Sequence, residues 1–173
     1  MSDTDARTVP DVRGTLEAKS PPIEDLLRLR EASLTNQEVR QEIDGVMAEL
    51  PVSLDEAGRA EAKIRTVGHA LFAIAEDRRA AEWMAKAGDD PRTRNVLGRA
   101  LLGSGRFETA AEVLAPLDKA ETDTRPICME AFLRAGDTQQ ARRVMGRLLK
   151  ADAESAEGVF LSGYLLEMEG DYD

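Results

Sequence analysis

The stretch that decides the fold runs from Asn95 to Leu117 and reads NVLGRALLGSGRFETAAEVLAPL. Small residues stand at Gly98, Gly105 and Ala110, with Leu117 beyond them, so the steps are 7, 5 and 7. A helix of about a dozen residues is marginal alone and has to lay its apolar stripe against a partner. Gly98 in one helix and Ala110 in the next let two helices cross closely. Gly105 ends the first of them, because glycine tolerates the left-handed backbone of a tight helix C-cap. Phe107 and Leu114 are then able to fold back on Leu97 and Leu101. One such hairpin buries too little apolar area to stand by itself, so neighbours must stack on it.

The same steps recur outward from this stretch. Met129, Gly136, Ala141 and Leu148 repeat them, as do Gly68, Ala75, Ala80 and Ala87 less typically, and a fourth copy begins with Gly163 and Gly170. The anchors at 68, 98, 129 and 163 are 30, 31 and 34 residues apart. Alternating apolar runs are absent, so the fold class is all-α. Ahead of the repeats, residues 1–22 are rich in Ser, Thr, Asp and Pro and are expected to be a disordered acidic tail. Residues 23–52 predict a helical hairpin, with TNQE at Thr35–Glu38 as the capping box of its second helix. SLDE at Ser53–Glu56 predicts a long helix carrying Ile64, Val67, Leu71 and Ile74, and the repeats occupy 53–173.

Composition narrows the function. A formal net charge of −10 without a basic stripe disfavours nucleic acid as a partner. Residues 1–60 and 121–173 are acidic and the middle is nearly neutral. No window approaches the roughly 18 apolar residues of a membrane span. The single Cys128 has no internal disulfide partner and no CxxC companion, which suits a reducing, cytoplasmic location. The preference for Arg (18) over Lys (5) matches a GC-rich bacterial genome.

On the residues LGRALLGSGRFETA, and less closely on CMEAFLRAGDTQQA, SGYLLEMEGDYD and VGHALFAIAEDRRA, the chain resembles the tetratricopeptide repeat family over about residues 61–173. The departures are Met129 for the first glycine, Thr138 and Asp77 for the aromatic, and Ala75 for the turn glycine. The resemblance implies a right-handed α-solenoid whose concave groove, lined by the first helix of each repeat, binds a peptide or helix of a partner protein. Positions three before, one after and four after the anchor share a helical stripe. They are Arg65, His69 and Phe72, then Asn95, Arg99 and Leu102, then Pro126, Glu130 and Leu133, and last Phe160, Tyr164 and Glu167. This stripe runs from basic to acidic and would suit a ligand of the opposite polarity. The clamp by which chaperone-binding members hold a terminal carboxylate is missing, since Val96, Asp123 and Ile127 replace its residues.

Catalysis, a metal and a cofactor are not expected. His69 is the sole histidine, Cys128 sits where the repeat wants a packed aliphatic, LLGSG lacks both the lysine and the preceding strand of a phosphate loop, and Trp83 with Met84 reads as core. The expected function is that of a non-catalytic adaptor or scaffold. The alternative is a regulatory or substrate-recruiting segment of a larger enzyme. The last helix, AEGVFLSGYLLEME, is apolar around most of its circumference, whereas solenoids end in polar caps. It is therefore expected either to belong to a longer array, of which this chain is an N-terminal piece, or to self-associate.

Overall fold

The computed structural model describes residues 9–120, 124–151 and 156–170. Among them there are helices and no strands. In chain order they are α1 (Val12–Glu17), α2 (Ile23–Thr35), α3 (Gln37–Ala48), α4 (Leu54–Ala57), α5 (Glu61–Ala73), α6 (Asp77–Met84), α7 (Pro91–Gly103), α8 (Phe107–Leu114), α9 (Leu117–Ala120), α10 (Arg125–Arg134), α11 (Thr138–Ala151) and α12 (Ala156–Glu169). Contacts divide the chain into two units, 1–96 and 97–173, with the boundary inside α7.

The repeat is visible as identical turn chemistry. Ala75, Gly105, Gly136 and Gly170 all have positive φ, at 61°, 78°, 76° and 71°. In the first three copies the next N–H reaches back over the turn, from Glu76 to the Leu71 carbonyl, Arg106 to Leu101 and Asp137 to Phe132, each at 2.9 Å. These bonds satisfy carbonyls that the helix end would otherwise leave unpaired. The second helix then starts at Asp77, Phe107 or Thr138, two residues after the turn residue. Ala75 adopts this conformation against its own Cβ, so the tertiary packing of α5 on α6 overrides local preference there.

Close crossing is also realised where the small residues predicted it. A Cβ on Gly68 would stand 2.9 Å from Met84 Cγ, and one on Gly98 would stand 2.8 Å from Leu114 Cδ1. Met84 and Leu114 follow their glycines by the same number of residues. Ala80, Ala110 and Ala141 are fully buried in the second helices. Met129, the third anchor, is likewise buried.

Three local expectations are corrected. Residues 12–17 are not part of a disordered tail: α1 buries Val12, Thr15 and Leu16, and it packs on α5, α3 and α2. Residues 1–8 lie outside the described residues. The cap of α3 is Asn36, not Thr35, since the Asn36 side chain accepts from the Glu38 N–H at 2.9 Å while Thr35 ends α2. Ser53 does cap a helix, accepting from the Glu56 N–H at 3.2 Å, but Gly58 at φ 59° ends α4 after one turn and α5 starts afresh at Glu61. Asp90 provides the cap of α7, accepting from the N–H groups of Arg92 and Thr93, both at 3.1 Å.

Candidate functional site

The stripe predicted to line a groove meets two different fates. In α5 it is covered by the chain itself. Arg65, His69 and Phe72 are only 7%, 2% and 1% exposed, so none of them is open to a ligand. The His69 Nδ1–H donates to the Leu16 carbonyl of α1 at 3.2 Å, which supplies a partner to one of the last carbonyls of that short helix. Phe72 is covered by Arg30 of α2, whose guanidinium lies 4.8 Å from the ring centroid. Arg30 also donates to the Phe72 carbonyl at 2.9 Å and holds Asp77 through two bonds of 2.6 and 2.8 Å. Ser33 adds a hydrogen bond to the Ala73 carbonyl at 2.6 Å. Arg65 donates to the Ala87 carbonyl at 3.1 Å. The groove assignment of these three residues is therefore corrected: α1 covers His69, α2 covers Phe72, and Arg65 is buried with its guanidinium on the Ala87 carbonyl beyond α6.

Burial sets the chemistry of His69. Desolvation outweighs the bond to Leu16 and, with help from the Arg65 charge, lowers its pKa to about 4. It is neutral at physiological pH and its Nδ1 is the protonated nitrogen in this contact. Cys128 is equally enclosed. Its thiol donates to the Leu114 carbonyl at 3.3 Å, and burial followed by the Asp118 charge raises its pKa to about 12. A thiol in that state is a packed structural group and not a nucleophile.

In α7, Asn95 is buried as well, while Arg99 and Leu102 are half-buried. Only further along does the stripe open. A cleft of about 360 Å³ between α10 and α12 is lined by Glu130, Leu133, Arg134, Glu157, Phe160, Leu161 and Tyr164. Four predicted positions, Glu130, Leu133, Phe160 and Tyr164, thus converge on one site. Leu133 and Leu161 are buried in its floor, and Phe160 and Tyr164 stand 73% and 42% exposed at its wall. Glu130 pairs with Arg134 at 3.5 Å, leaving Glu157 to tilt the rim towards negative charge. The half-buried Pro126 and the exposed Glu167, which also belonged to the stripe, are not among the lining residues. No family model, curated protein or solved structure matches this chain.

Arg134, Glu157 and Leu161 were missed by the sequence reading. Glu157 was within reach of it, because Glu157, Phe160, Leu161 and Tyr164 fall at the i, i+3, i+4, i+7 spacing of one helical face. Arg134 gave no such signal: it is placed by its pairing with Glu130 and by stacking 5.9 Å from the Phe107 centroid. Among the described residues no three His, Cys, Asp or Glu side chains are grouped as a metal ion would require. No described helix is long and apolar enough to cross a membrane. Asp123, which bears on the missing carboxylate clamp, and residues 171–173, which end the fourth copy SGYLLEMEGDYD, lie outside the described residues.

Proposed function

We propose that this chain is a protein-interaction module of tetratricopeptide type, working in the cytoplasm as an adaptor or scaffold, and that it seats a helical or extended peptide between α10 and α12. The observation that carries this reading is the convergence of Glu130, Leu133, Phe160 and Tyr164 on one cleft. Two aromatic rings beside a buried leucine floor offer a large apolar contact area, the kind of surface on which binding energy concentrates. The acidic rim selects a ligand carrying Lys or Arg beside its apolar anchor. The enclosure of His69 and Cys128 by packing supports binding over catalysis in this reading.

Selection from a displayed random-peptide library on the immobilised chain tests this. Peptides with one bulky apolar residue flanked by basic residues should be enriched, and Tyr164→Ala or Phe160→Ala should abolish their enrichment. Enrichment unaltered by both substitutions would refute the cleft as the binding site.

A further inference from the structure

α1 has little of its own to hold it as a helix. It spans six residues, far below the roughly 12–15 at which a free helix becomes even marginal. No side chain caps its N-terminus, no acidic residue stands in its first turn and no basic one in its last. Gly14 inside it lowers helix propensity further. The Arg13–Glu49 pair, at 2.6 and 3.0 Å, ties it to the chain after α3, but both side chains are exposed and such pairs contribute little. Docking is what holds α1: Val12, Thr15 and Leu16 are buried, and the Leu16 carbonyl accepts from His69 of α5.

The seat of this helix contains a titratable group. Under α1 the His69 ring is 2% exposed, and a buried imidazole stays neutral because its charged form needs water. Arg65 on the same helix opposes protonation, and Asp90 ahead of α7 favours it more weakly. The charges of the other packed elements are engaged elsewhere: Arg13 and Glu17 of α1 with each other and Glu49, and Arg30 of α2 with Asp77 of α6. Closure and protonation therefore exclude one another, so a proton favours the state in which α1 has left and the ring reaches water. We propose that α1 is a detachable strap: protonation of His69 releases it from α5 while the remaining helices stay folded, uncovering the His69 face of α5. The strap is closed at pH 7. Its opening is separate from the cleft between α10 and α12 and does not depend on the peptide reading of that cleft.

Native-state amide hydrogen exchange of the full chain, followed by NMR at pH 7 and pH 5, reads the opening directly. The Thr15 and Ala18 amides, which bond the Asp11 and Gly14 carbonyls, should be at least tenfold less protected than those of Ala70 and Leu71 in α5. With His69 at about 4 in the closed state and 6.5 when free, the opening constant of α1 should rise about twentyfold from pH 7 to pH 5. In His69→Asn it should not rise. Arg13 holds the Glu49 carboxyl below its ordinary 4.5, so that pair loosens in acid mainly below this window. Leu16→Asp, which removes the apolar anchor of the strap, should bring the NMR-titrated pKa of His69 up towards 6.5 with the α5 amides still protected. Should a variant not fold, the wild-type ratio of α1 to α5 protection and its pH dependence decide by themselves. Equal protection of α1 and α5, an opening constant indifferent to pH or rising equally in His69→Asn, or an unmoved His69 pKa in folded Leu16→Asp would overturn the proposal.

Discussion

α5 and α12 are first helices of the same repeat and share its anchor glycine, yet they differ in what covers them. In α5 every residue from Ile64 to Ala73 is buried, beneath α1 and α2 on one side and α6 on another. In α12 only Gly158, Leu161 and Leu165 are buried, against α10 and α11, and Val159, Phe160, Tyr164, Leu166 and Met168 are exposed. The repeat pattern determines which residues share a face. It does not determine whether that face is closed, and closure is what separates a core position from a binding position.

The largest expected effect probes the closed side. The folded chain holds His69 near pKa about 4, against 6.5 for the free side chain. Its contribution is fully present above pH 6.5 and is lost as pH falls towards 4, where the unfolded chain binds the proton and the folded chain resists it. The loss attributable to this one residue is about 3 kcal/mol. Denaturant titrations from pH 7 to pH 4 should show it as extra acid sensitivity relative to His69→Asn, whose amide is able to reach the Leu16 carbonyl without titrating. Equal pH profiles would mean that α1 does not enclose His69.

A second test addresses the close crossing inside the first copy. Gly68→Leu should cost about 1–3 kcal/mol in chemical denaturation, towards the low end because the long, flexible Met84 side chain is what it displaces. Smaller again is the turn. Ala75→Gly should stabilise the chain by about 1 kcal/mol, relieving a left-handed alanine, and Gly105→Ala should cost a similar amount. On the open side, Phe160→Ala and Tyr164→Ala should each change stability by only about 0.5 kcal/mol or less, since exposed side chains contribute little to folding. A large loss from either would mean that the face is closed in solution.

The parts of the fold legible in the sequence were those written in local spacing. Gly105 and Gly136 mark turns because few other residues accept that backbone, and the anchors set which faces pair. Ala75 was readable as a turn only through its register, and α4 was merged with α5 because a capping box announces where a helix begins and not where it stops. Covering segments were not legible. α1 offers two apolar residues, Val12 and Leu16, between prolines and polar residues, and it becomes a helix by packing on residues such as His69, 53 positions away. That contact hid the burial of His69, as the reach of Arg30 from α2 hid that of Phe72 and the bond to the Ala87 carbonyl that of Arg65. Phe160 and Tyr164 stay exposed because no described segment covers them as α1 and α2 cover α5, and the buried Leu133 forms the floor beside them.

The most direct test of a shared register with unequal closure is paired chemical denaturation of Gly98→Leu and Gly163→Leu. Gly98 is pressed by Leu114 and Gly163 faces open space. The expected results are a loss of about 1–3 kcal/mol for Gly98→Leu and, for Gly163→Leu, no loss or a gain of up to about 1 kcal/mol from replacing a helical glycine. Equal losses at the two positions would contradict the account.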